Sequence, residues 1–194
     1  MSAPRDDVAQ VRDPQALRAL AHPVRLRLIG LLRNEGPSTA TLLGRRLDES
    51  SGTTSYHLRE LARYGFVAEE VGRGTGRERW WRAEHRMTSW QVEDFADEGS
   101  EVVDELHRQM VALRGQHLHA WLEQQSELAP EWDGAADLSD WALRLTAEET
   151  RALAGELGEV LDRWSAERAG REPADDSELV RVHLDVLPLR RWPL

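Results

Sequence analysis

The sequence contains no cysteine, no lysine and no long apolar run. Without cysteine there is no disulfide framework and no thiolate metal ligand. Without lysine, neither a phosphate-loop lysine nor Schiff-base chemistry is available, and all 25 basic residues are arginine. No window approaches the roughly 18 consecutive apolar residues of a membrane-spanning helix. The opening MSAPRDDVAQVRDP is polar and lacks a signal peptide's apolar region, so a cytoplasmic location is expected. Catalytic signatures are missing too: there is no G-x-S-x-G elbow and no H-E-x-x-H zinc helix. Gly72, Gly74 and Gly76 are spaced G-x-G-x-G and lead into a strand, whereas a dinucleotide loop needs G-x-G-x-x-G opening a helix. The expectation is a protein that is not an enzyme and carries no cofactor.

What is present suits a globular chain of one large or two small domains, with 194 residues, 40% hydrophobic and 31% charged. The net charge of −10 argues at first against a nucleic-acid partner. The charge is unevenly distributed, however. Residues 1–87 hold 15 arginines against 11 acidic residues, a net +4, and the remainder holds 10 against 24, a net −14. A DNA-reading half joined to an acidic half that stays off DNA has this asymmetry.

The centre of the chain runs from Ser38 to Arg82. Ser38 is placed to cap a short helix with Ala40, Leu43 and Leu47 on its core side. The polar run Asp48-Glu49-Ser50-Ser51-Gly52 breaks the pattern, and Ser50 or Ser51 caps a second helix. Thr54, Leu58, Leu61 and Ala62 form its buried stripe. Its opposite face carries Ser51, Thr53, Ser55, Tyr56, Arg59 and Arg63. Small hydroxyls let a helix approach base edges closely, and arginine reaches guanine or phosphate. A two-stranded hairpin follows, with Val67 and Val71 alternating with Glu69 and a return strand over Arg79–Ala83. Its glycine-rich tip projects Arg73 and Arg77. Two helices and a basic hairpin make a winged helix-turn-helix, whose wing lies along phosphates or enters the minor groove.

The segments ALRALAHPVRLRLIGLL (Ala16–Leu32), TSYHLRELARYGFV and GRGTGRERWW together resemble the ArsR-type winged-helix transcriptional regulators over residues 13–87. The resemblance implies a homodimeric DNA-binding regulator, usually a repressor released by a ligand, so a small-molecule effector is a further candidate partner beside double-stranded DNA. By position, Ser51, Thr53, Ser55, Tyr56 and Arg59 match the family's recognition-helix face, and Arg73 and Arg77 its wing.

Around this centre, residues 1–12 read as a loose arm. Asp13 caps a first helix with Pro14 in its first turn, and Pro23 starts another that runs to Asn34. Residues 84–99 join the halves, partly helical. From Glu101 to Gln125 a helix of roughly 37 Å carries Val103, Leu106, Met110, Leu113 and His117 as a seam for dimerisation. Trp141, Leu143 and Leu145 then alternate as a short strand. Thr146 and Glu149 form a capping box for a helix with Leu153, Leu157, Val160, Leu161 and Trp164 as its stripe. Val180, Val182, Leu184 and Val186 mark a last strand. The expected fold is mainly α with small β: a winged helix-turn-helix domain (1–87), a linker and dimerisation helix (88–127), and a strand-helix-strand region (128–194) that binds an effector or supports the dimer. The two strands pair either with each other or with another chain.

Two constellations are set aside. Some zinc-sensing members of the resembled family bind metal on the dimer helix, but here Asp104 and His107 are three apart and position 120 is alanine. No metal site is expected. Trp121, Trp132, Trp141 and Trp164 could line an effector pocket, but plain core is the preferred account at these spacings. His57 is expected to pack against the first helix of the reading pair. The alternative function is a protein-interaction or ligand-binding module whose winged helix does not read DNA alone.

Overall fold

A computed structural model describes residues 8–74, 78–95, 99–168, 171–172 and 174–190. The chain divides into two compact units, Pro4–His119 and a second built on Ala120–Leu194.

In the first unit the helix starts are set by capping side chains. At α1 (Pro14–Leu20) the Asp13 carboxylate accepts from the N–H groups of Gln15 at 3.0 Å and Ala16 at 3.3 Å. Pro14 takes a position that needs no N–H. At α2 (Pro23–Asn34) the cap is His22, whose Nδ1 accepts from the N–H of Val24 at 3.2 Å. The reading pair is α3 (Ala40–Leu47) and α4 (Ser51–Arg63). Thr39, not Ser38, caps α3, through its Oγ1 to the N–H of Leu42 at 3.2 Å. The start slips by one residue because Ser38 and Thr39 form a two-residue strand, β2, before the helix begins. Ser50 caps α4, accepting from the N–H of Thr53 at 3.0 Å, and Ser51 is the first helical residue.

The turn between α3 and α4 is tight. Asp48 takes a left-handed conformation (φ 56°), and a Cβ on Gly44 would lie 2.7 Å from the carbonyl oxygen of Glu49 and 3.0 Å from Thr54 Oγ1. Only a residue without Cβ lets α3 approach the start of α4 this closely. Beyond α4, Gly65 (φ 74°) allows the N–H of Phe66 to reach the carbonyl of Leu61 at 3.0 Å and its own N–H that of Ala62 at 3.1 Å. This Schellman end turns the chain into the sheet.

That sheet has three strands rather than the two expected, in the order β2 (Ser38–Thr39), β4 (Trp80–Ala83), β3 (Val67–Glu69), all antiparallel. β3 stops at Glu69, so Val71, expected in the strand, is 91% exposed. The arm is also corrected. β1 (Val8–Gln10) pairs in parallel with β5 (Met87–Ser89), from Val8↔Met87 to Gln10↔Ser89. The joining segment ends in a 3-10 turn, Val92–Phe95, with Phe95 buried.

One core gathers Leu17, Leu28, Leu58, Leu61, Phe66 and Phe95. Truncating a residue such as Leu58, fully enclosed, costs about 2–5 kcal/mol. The helix α5 (Ser100–Gln124) adds Val102, Val103 and Leu106 to this core, with Met110 packed at its edge. Two seam residues, Val103 and Leu106, thus serve their own chain's core. Farther along, α5 exposes Val111 and Leu118.

The second unit contains α6 (Ala147–Arg168), opened by the expected capping box. The N–H of Thr146 donates to Glu149 Oε2 at 2.7 Å, and the N–H of Glu149 to Thr146 Oγ1 at 3.2 Å. The two flanking strands are not formed: among the described residues no strand follows Ser89. Alternation at 141–145 and 180–186 fits a half-buried strand, but a strand also needs a neighbour for its backbone and a core for its apolar face. Neither is present, since no described residue from 120 onward is buried. The expectation of tryptophan as plain core fails at Trp141, which is 76% exposed, and at Trp164, which is more than half exposed.

Candidate nucleic-acid interface

The surface of interest is the outer face of α4. Its inner face is fixed by Thr54, His57, Leu58 and Leu61, all buried. Helical periodicity then leaves Ser51, Thr53, Tyr56, Arg59 and Arg63 exposed and Ser55 half-buried. Tyr56 is 54% exposed, with its ring edge-on to His57 at 5.3 Å between centroids. Thr53 Oγ1 lies 2.8 Å from Ser50 Oγ, so one of its hydrogen-bonding directions is spent on the cap. The Arg59 Nε donates to the carbonyl of Ser55, one turn back, at 3.2 Å. That contact is exposed. Arg63 stands about 18 Å along the helix from Ser51 at 1.5 Å per residue.

Ser51, Ser55 and Arg59 form one wall of an open concavity of about 360 Å³. Thr39, Ala40 and Thr41 from the start of α3 contribute, and Glu78, Arg79 and Trp81 close it on the sheet side. Thr41 and Arg79 are absent from the sequence-derived set. Thr41 lies off the Ala40–Leu43–Leu47 stripe, and that periodicity marks it as exposed. Arg79 directly precedes β4 and pairs loosely with Glu69, Nε to Oε2 3.8 Å. Its position depends on β4 entering the sheet, which alternation alone does not fix.

On the wing, Arg73 lies over the Trp80 ring, 4.7 Å from its centroid, and 3.7 Å from Glu70. It is braced against the wing rather than simply projecting from the tip. Arg77 lies outside the described residues. Beneath α4, the buried His57 lies against the His22 ring at the start of α2, centroids 4.5 Å apart. Burial, then the neighbouring imidazole and Arg25, with a lesser push from Arg27, lowers the His22 pKa, and Glu49 opposes this. Burial and Arg25 lower the His57 pKa against Glu49 and Glu60. Both rings are held towards the neutral form.

Among the described residues no three His, Asp or Glu side chains come together as a metal site. His107 rests near Trp90, and His119 Nδ1 lies 2.8 Å from the Gly115 carbonyl oxygen. No helix is long and apolar enough to cross a membrane, among the described residues.

A cap at Ser50, a glycine-tight turn and an exposed polar face on the second helix are what a helix-turn-helix requires. Residues 20–70 match the helix-turn-helix domain family. The match spans α2, α3, α4 and β3, the parts that carry and present the exposed face. Among curated proteins none matches the chain. One solved structure to which it is similar is that of disulfide-formed AbfR, 21% identical, covering 53% of this chain and 68% of that one at a TM-score of 0.29.

Proposed function

We propose that the chain is a sequence-specific, DNA-binding transcriptional regulator of the ArsR type, a homodimer that represses by occupying an inverted repeat. The observation that carries this reading is the α4 face. Small hydroxyls, Tyr56 and Arg59 stand outward beside a groove edged by Thr41 and Arg79, on a segment that matches a helix-turn-helix family. In this reading Ser51, Ser55, Tyr56 and Arg59 meet base edges in the major groove, with Thr53 at the margin. Arg63, Arg73, Arg77 and Arg79 meet phosphates.

Dimerisation is assigned to the outer part of α5, where Met110, Leu113 and His117 of the seam adjoin exposed Val111 and Leu118. A two-fold reader presents two α4 helices to half-sites about one helical turn apart, or a multiple of it. The acidic remainder of the chain stays off the phosphates.

The test is selection of genomic fragments by the purified full chain at physiological salt, followed by footprinting. A protected inverted repeat supports the reading. Uniform or absent enrichment contradicts it and shifts weight to an interaction module.

A further inference from the structure

Two concavities border the outer face of α4, one along each side. The first is walled by Ser51, Ser55 and Arg59, which recur every fourth residue on the side of the sheet. The second, of about 280 Å³, is walled by Glu60 and Tyr64, which continue the row of Tyr56 at the same spacing. Its opposite wall is Arg18 from α1 and Arg25 from the first turn of α2. Gly52 and Arg63 stand exposed between the two rows.

The second concavity holds unpaired positive charge. Arg18 is exposed, and Arg25 is half-buried with its Nε enclosed and without an acceptor. Glu60 lines the same space, yet among the described residues neither arginine forms an ion pair, whereas Arg46, Arg73 and Arg79 each have a carboxylate nearby. Arg63 adds a third guanidinium at the rim, over the Tyr64 ring at 5.6 Å from its centroid. Two arginines against one carboxylate leave the concavity positive, and guanidinium donors suit the oxygens of a phosphate. The shape of B-DNA supplies that phosphate. Its major groove is about 12 Å wide and a helix with its side chains about 10–12 Å across, so a helix seated there has a phosphate strand along each side. Arg79 stands on one side of α4, and Arg18 and Arg25 on the other.

We propose that Arg18 and Arg25 bind a backbone phosphate of double-stranded DNA on the side of α4 away from the sheet, so that the helix is clamped between two phosphate strands. Neither residue belongs to the reading pair or the wing, and Arg18 precedes the segment that matches the helix-turn-helix family. The contact contributes affinity and fixes how α4 is seated, and it does not choose bases. The proposal rests on the DNA-binding reading above and adds a contact which that reading does not require.

The test is anisotropy titration of the full chain over a range of salt, on the selected duplex and on a scrambled one. Arg18→Ala and Arg25→Gln should each weaken binding about three- to ten-fold on both duplexes and reduce the salt slope by about 1. Arg25→Lys keeps the charge and should keep the slope; a slope lost there too would make Arg25 structural and overturn the clamp. Glu60→Gln removes the carboxylate beside the phosphate and should tighten binding on both duplexes. Unchanged or weaker binding in that variant places the phosphate elsewhere and overturns the proposal. Unaltered slopes in Arg18→Ala and Arg25→Gln, with Arg79→Ala still lowering it, overturn the proposal and leave the DNA-binding reading standing. A native chain that binds neither duplex overturns that reading, and the proposal with it.

Discussion

The imidazoles of His22 and His57 lie 4.5 Å apart, one capping α2 and the other on the buried side of α4. The cap uses His22 Nδ1 as an acceptor, which protonation would abolish. Both folded-state pKa values lie below the ordinary histidine value, so the unfolded chain binds protons more readily. The contribution to stability is complete above about pH 6.5, the unfolded value, and is lost as pH falls through the lower folded values. Thermal melts should therefore be flat from about pH 7 to 8 and decline below about 6.5. His57→Gln should make that decline shallower, and an unchanged slope would remove this pair from the account.

Tyr56→Ala and Arg59→Ala are expected to erase discrimination between the selected site and a scrambled duplex while the fold is kept. Each good base contact is worth about 1–3 kcal/mol, so anisotropy titrations should show roughly ten-fold loss or more on the selected site and little on the scrambled one. Equal loss on both duplexes would make these residues phosphate contacts instead.

Arg79→Ala should behave differently, because its position at the groove edge suits a phosphate. Affinity should fall alike on all sequences, and the slope of log K against log salt should shrink by about 1 per contact removed. A salt slope equal to that of the unaltered chain would place Arg79 off the DNA.

Gly44 and Gly30 give a paired test of close approach. A methyl at Gly44 meets the Glu49 carbonyl oxygen at 2.7 Å, whereas one at Gly30, inside α2, meets nothing within 4 Å. Gly44→Ala should cost about 1–3 kcal/mol in denaturant melts. Gly30→Ala should gain about 0.5–1 kcal/mol from helix propensity. Similar effects at both sites would mean that α3 can retreat from α4 at little cost.

The legible parts of this fold are those in which one residue type determines local geometry. Asp13-Pro14, Pro23, Ser50 and Thr146–Glu149 mark helix starts that the structure reproduces, and the i, i+4 stripe of Thr54 and Leu58 identifies the exposed face of α4. The pieces that escaped are two- and three-residue strands. β1 and β2 are too short for a period of two to register, and their partners lie far along the chain. For the same reason the sequence does not mark Arg79 as a groove wall. At Trp141–Leu145 and Val180–Val186 the sequence alternates, but alternation alone supplies neither a ladder neighbour nor a core.

The parallel pairing of β1 with β5 also has a mechanical meaning. The chain enters the ladder at Val8 and leaves it after Ser89, heading towards α5. Tension between the N-terminus and α5 therefore pulls the two strands along each other in opposite directions. The hydrogen bonds of the pair share that load and resist together, instead of peeling open one at a time. The seventy-odd residues between them, including the reading pair, are shielded from strain transmitted through either end of the domain.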